Sequence, residues 1–127
     1  MPQVKSPLLN TIGQLEIRVG NLNEAQRFYE DVLGMEVESV FGQTMMLRCG
    51  EISILVQESN TRPLGCPIYF KVDDRVHEVA DMLKANGVRF KSGPSCIVEE
   101  FMGKSSWLGF FEDPWGNPLA LMGDMPV

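Results

Sequence analysis

Two stretches of this chain say nearly the same thing 53 positions apart. Gln14-Leu15-Glu16-Ile17-Arg18-Val19 leads into a helical stretch ending at Leu33-Gly34-Met35-Glu36-Val37. Pro67-Ile68-Tyr69-Phe70-Lys71-Val72 leads into another ending at Asn86-Gly87-Val88-Arg89-Phe90. Val19 falls on Val72, Gly34 on Gly87 and Val37 on Phe90. Such a repeat means two copies of one supersecondary unit. The chain reads as a single domain over residues 1–127, with module one at about 10–60 and module two at about 66–124. Two such units usually pair about a pseudo-twofold axis, and the cleft between them is a natural ligand site.

Each module reads as β-α-β-β-β. Residues 12–19 alternate, with Leu15, Ile17 and Val19 on one face and Gln14, Glu16 and Arg18 on the other. Asn21 and Asn23 are both possible helix N-caps, Gln26 following Asn23 like a capping-box partner. Ala25, Phe28, Tyr29, Val32 and Leu33 then recur at helical spacing up to Gly34. Strands follow near 35–40, 44–49 and 52–57, the last two joined at Gly50-Glu51. In the second copy, a strand at 67–72 puts Tyr69 and Lys71 opposite Ile68, Phe70 and Val72. Asp73 or Asp74 is the expected cap of a helix buried through Val76, Val79, Ala80 and Leu83. A strand is expected near 88–91, then an excursion over 92–105, then closing strands at 107–112 and 118–122. Asp113-Pro114-Trp115-Gly116-Asn117 is the turn between the closing strands.

Composition excludes several roles. At 127 residues the chain is long enough for one real core, and its 44% apolar and 22% charged content is that of a globular protein. A net charge of −6 argues against nucleic acid, which needs a basic face. No apolar run reaches the length of a membrane span, so no membrane partner is expected. Met1 to Pro7 has no apolar h-region and does not read as a signal peptide. The first ten residues read as loosely held. Cys49, Cys66 and Cys96 make an odd count without zinc spacing, which fits a reduced, cytoplasmic setting.

The phrase Phe28-Tyr29-Glu30-Asp31-Val32-Leu33-Gly34-Met35 resembles the first-module signature of the vicinal oxygen chelate superfamily. That group holds glyoxalases, bleomycin resistance proteins and extradiol dioxygenases. Phe70-Lys71-Val72-Asp73-Asp74 resembles the start of its second module. Phe111-Glu112-Asp113-Pro114-Trp115-Gly116-Asn117-Pro118-Leu119-Ala120-Leu121-Met122 resembles its closing motif. The motifs occur in order and span roughly residues 12 to 123. The resemblance implies an α+β fold of two βαβββ modules forming a cupped mixed sheet, and a homodimer. It does not fix function, because one fold hosts many chemistries.

Metal enzymes of that family take four ligands from the first and last strands of the modules. Carried over, those places fall on Gln14, near Leu55, on Pro67 and on Ala120. Only Gln14 bears a donor, and a divalent ion needs several converging. The reading is therefore that no residue set forms the usual metal site and no cofactor is expected.

Gln14, Glu16, Arg18, Tyr69 and Lys71 fall on the face that would line the cup, with Arg48 near them. Polar groups there need water or a ligand. Glu16 or Arg18 is expected to fix a polar group of a ligand; the plainer alternative is a structural ion cluster of Glu16 with Arg18, Arg48 or Lys71. Tyr69 offers a ring or a phenol, whereas Lys71 is expected to reach solvent at the rim before it serves as a cation for the ligand. Phe101 and Trp107, with Phe41, Met45, Met46, Met102 and Trp115, supply apolar surface for a pocket wall or for plain packing. The 92–105 segment is either a lid or a dimer-contact strand. His77, the only histidine, reads as a surface residue, and the three cysteines read as structural.

Three functions remain open on these readings. The first is a bleomycin-resistance-like binder of a small organic molecule in the cup between modules, without the metal. The second is a lyase, isomerase or dioxygenase of the same superfamily, with an atypical metal site or with Glu16 as a base whose pKa burial raises. The third is a structural or regulatory dimer with a filled cup. Whether a cup forms within one chain or across two is left open.

Overall fold

The computed structural model describes residues 11–61 and 65–127. The expectation about the first ten residues lies outside them. Strand β1 (Gln14–Val19) is followed by helix α1 (Leu22–Gln26), whose last turns widen into a π-helix over Arg27–Val32. Strands β2 (Glu36–Phe41), β3 (Thr44–Cys49) and β4 (Ile52–Glu58) then meander back. The order is β1-β4-β3-β2, with β1 and β4 parallel, as the helical crossover requires. Gly42 and Gly50 turn the two hairpins at φ +58° and +61°, where a side chain would be strained.

The second module repeats the plan. It comprises β5 (Ile68–Lys71), a 3₁₀ turn (Asp73–Arg75), α2 (Val76–Ala85), β6 (Ser92–Phe101), β7 (Lys104–Glu112) and β8 (Pro118–Pro126), in sheet order β5-β8-β7-β6. This is the two-module α+β architecture expected, built as two four-stranded mixed sheets, with no strand pairing between them among the described residues.

Local chemistry accounts for most boundaries. Asn21 caps α1, its Oδ1 accepting from the Glu24 N–H at 2.9 Å. Gln26 makes no capping box; it reaches Glu30 at 3.4 Å instead. The expected aspartate cap of α2 is absent, because Asp73 sits at φ +52° within the 3₁₀ turn and no side chain caps the helix. No strand forms at 88–91. The pairing moves downstream into β6, so the expected 92–105 excursion is a strand paired with β7 and the hairpin that joins them. Its bulges bend the strand while leaving it paired.

The modules pack through their helix-bearing sides. Ile17, Val19, Leu47 and Ile54 of the first sheet share one core with Val76, Phe111, Leu119 and Leu121 of the second module. A buried polar knot ties the seam. The Tyr29 hydroxyl donates to Asp113 Oδ2 at 2.7 Å, and Asn117 Nδ2 donates to the same oxygen at 2.6 Å and to the Arg18 carbonyl at 2.7 Å. The N–H groups of Trp115 and Asn117 bond Asp113 Oδ1 at 2.9 and 2.8 Å. Burial, and then the Asp113 charge, hold the Tyr29 phenol protonated far above its ordinary range. The Asn86 amide adds a bond to the Val32 carbonyl at 3.1 Å.

Candidate functional site

Because helix-bearing faces meet inside, each sheet turns its other face outward. Alternation decides which residues stand there. On the first sheet the β1–β4–β3–β2 register gives three rows across the strands. One holds Gln14, Ser53, Arg48 and Glu36; the next Glu16, Leu55, Met46 and Ser39; the third Arg18, Gln57, Thr44 and Phe41.

This face is dense with paired polar groups. Arg18 Nε lies 3.3 Å from Glu16 Oε2, and Arg18 Nη1 donates to Thr61 Oγ1 at 3.1 Å. Arg48 pairs with Glu38, the bulged residue of β2, at 2.8 Å. Thr44 donates to Gln57 at 3.0 Å. The ion-cluster alternative thus holds in part: Glu16 pairs with Arg18, while Arg48 takes Glu38. The Glu16 side chain is 38% exposed, so the enclosure that a buried base needs is missing.

The outer face of the second sheet is different. Tyr69, Ala120, Phe110 and Ser92 form one row; Lys71, Met122, Leu108 and Ser95 the next. Tyr69 and Phe110 meet edge to face with centroids 5.9 Å apart, over the fully buried Ala120. Lys71 lies 3.7 Å from Asp73, both side chains largely exposed.

The expected site residues therefore divide between two surfaces. Gln14, Glu16, Arg18 and Arg48 share the first face; Tyr69 and Lys71 share the second. No cavity described here is lined by both groups. The cavities at the seam are apolar instead. One, of about 150 Å³, lies between the end of the first helix and the second module, against Leu33, Met35, Phe70, Val79, Leu83 and Phe111. Another, of about 310 Å³, sets the β5 segment Ile68–Lys71 against Leu15, Cys49 and Ile54.

Of the expected wall residues, Met45 is buried in the core, Trp107 and Trp115 pack against it, and Phe101 and Met102 stand at a hairpin tip. Trp107 pairs with Gly123 on the helix-bearing side, its ring 4.6 Å from that of His77 and its Nε1 donating to Ser105 Oγ at 2.9 Å. It shares the parity of the buried Phe111, which places it with the core. Phe101 is 68% exposed at the tip of the β6–β7 hairpin, away from Tyr69 and Lys71 along the strand. His77 is exposed, as expected, though its ring stands edge-on to Trp107. Cys66 and Cys96 are exposed rather than packed, and only Cys49 is half-buried.

Sequence reasoning missed Phe110, Leu108 and Met122 on the second face. The signal was parity with Tyr69 through the closing motif, obscured because Trp107 to Phe111 is apolar on both faces. Of the four places where relatives would carry metal ligands, the β1 and β4 positions hold Gln14 and Leu55, and the second module holds Pro67 and Ala120. Among the described residues no three His, Cys, Asp or Glu side chains gather in a way that could hold a metal ion. This donor set does not fit a divalent ion. No helix among the described residues is long and apolar enough to cross a membrane.

Comparison with known proteins agrees with this architecture. A model of the Glyoxalase/Bleomycin resistance protein/Dioxygenase superfamily matches residues 11–121. Among solved structures, an integron cassette protein from the mobile metagenome of V. cholerae is 20% identical with a TM-score of 0.74, covering 93% of this chain and 98% of its own. A glyoxalase/bleomycin resistance protein/dioxygenase from Alicyclobacillus acidocaldarius is 20% identical, TM-score 0.74, over 90% of this chain and 91% of its own. A lactoylglutathione lyase from Agrobacterium tumefaciens is 20% identical, TM-score 0.72, over 92% and 96%. At such identities the likeness is one of fold.

Proposed function

Because the chain belongs to the glyoxalase/bleomycin resistance protein/dioxygenase superfamily, we propose that it binds a small organic molecule without a metal ion, in a cup completed by a second copy. The observation that carries this is the placement of the two outer faces. The polar face of module one and the aromatic face of module two point away from the shared core, so a single chain leaves each without an opposing wall. A twofold dimer would set module one of one copy against module two of the other and make two equivalent cups, as closed symmetry requires.

Binding is favoured over catalysis by what stands at the reactive places. Gln14 is the one donor of the four metal positions, and Glu16 is exposed and held by Arg18. What remains is a set of charged and amide groups that would orient a ligand, facing an apolar wall that would hold it.

The test is a thermal-shift screen of small organic molecules against metal-stripped protein, with mass by sedimentation. The expected result is a dimer and at least one compound giving a saturable stabilisation, weakened by Glu16→Ala and Arg18→Ala while the dimer persists. A monomer at working concentration, or binding that both substitutions leave unchanged, would contradict the proposal.

A further inference from the structure

The two outer faces are not equivalent, although the repeat places them at matching positions. Glu16 corresponds to Tyr69 and Arg18 to Lys71, both 53 positions apart. Across the strand pairing, Leu55 stands beside Glu16 where Ala120 stands beside Tyr69. Module one therefore carries ion pairs and amides, whereas module two carries two rings, a small floor and a methionine.

The second face has the form of a ring platform. Tyr69 is 44% exposed and stands edge-on to the half-buried Phe110. Ala120 is fully buried beneath them, so the two rings close over the sheet and a flat molecule would lie against the exposed side of Tyr69. Met122, in the next row, offers an adaptable thioether against an aromatic edge.

The charges around this platform are unequally held. At one end Lys91 is bonded to Glu112 at 3.0 Å, so that cation is engaged. Beside the rings Lys71 pairs with Asp73 at 3.7 Å, with the two side chains 72% and 71% exposed. Such a solvent-screened pair is weak and exchanges easily for a better partner. On the first face, by contrast, Arg18 and Arg48 are each already within 3.3 Å of a glutamate. Lys71 is the cation in the best position to meet a ligand anion.

We propose that the second-module face recognises an aromatic carboxylate, its ring against Tyr69, Phe110 and Met122 and its carboxylate on the Lys71 ammonium. This rests on the reading of the outer faces as the ligand surface, and names the class of molecule they take. The ring contributes contact area and the ammonium contributes discrimination between an acid and its neutral analogue.

The experiment titrates the intact protein with naphthoate and, separately, with naphthalenemethanol, followed by calorimetry. Wild type should bind the acid at least about tenfold more tightly than the alcohol. Lys71→Met should remove that preference and leave the alcohol's affinity unchanged; Tyr69→Ala should weaken both. Equal affinity for acid and alcohol, no saturable binding of naphthoate, or binding that neither substitution alters would overturn the assignment. If naphthoate fails while compounds from the screen still bind and depend on Glu16 and Arg18, the ligand class alone is wrong. If nothing binds either face, the wider proposal falls with it.

Discussion

Asp113 is the residue on which the seam depends. It is 5% exposed, and its two oxygens accept from Tyr29, Asn117 and two backbone N–H groups. A buried carboxylate is tolerable only when so fully bonded. Tyr29→Phe deletes one donor and leaves the charge in place, so a loss of about 1.5–3 kcal/mol is expected in urea unfolding. The same pair predicts an alkaline limb. The Tyr29 phenol ordinarily ionises near 10.0 but is held protonated in the fold, by burial first and Asp113 second. Above that pH the unfolded chain releases a proton that the folded one keeps, so stability falls as pH rises. Between about pH 10 and 12 wild type should lose up to about 1.4 kcal/mol per pH unit more than Tyr29→Phe. Parallel slopes in the two proteins would show that the hydroxyl does not carry this linkage.

At the scale of elements, the helices and the glycines beside them can be tested directly. Asn21→Ala should cost about 1 kcal/mol, read as a lower urea midpoint at unchanged slope, because it removes the one side-chain cap of α1. Gly123 lies where β8 passes under the start of α2, and a methyl there would run into the Asp73 carbonyl and the Val76 side chain. Gly123→Ala should therefore destabilise by about 1–3 kcal/mol, measured by the same unfolding. Much of this layer was legible in the chain. The repeat located both β-α-β-β-β units, and the alternation in residues 14–19 set the correct inward face. Strand β6 was not legible, because bulges break its period and exposed polar and apolar residues alternate poorly. The side of Trp107 was lost for a related reason: Trp107, Leu108, Phe110 and Phe111 are apolar in both parities, and only the partners Gly123 and Met122 separate them.

For the whole molecule, the arrangement of modules mattered more than their internal structure. The sequence could place Glu16, Arg18, Tyr69 and Lys71 on one kind of face, but not say whether those faces meet within the chain. Periodicity describes one strand at a time, whereas the packing of modules is set by which apolar stripes find each other. Here Tyr29, Leu33 and Met35 turn toward the second module, and the candidate faces turn outward. A protein built this way is expected to sediment at about twice the mass of one chain, with a melting temperature that rises with protein concentration. The central claim is that ligand binding has been kept on this fold while the metal donors have gone. Its most direct test is a thermal melt of metal-stripped protein titrated with zinc, nickel, manganese and ferrous ions, with elemental analysis of the untreated protein. The account predicts no saturable rise in melting temperature and no stoichiometric metal. A saturable rise, or one retained ion per chain or per dimer, would contradict it and make this a metal-binding protein with ligands beyond Leu55, Pro67 and Ala120.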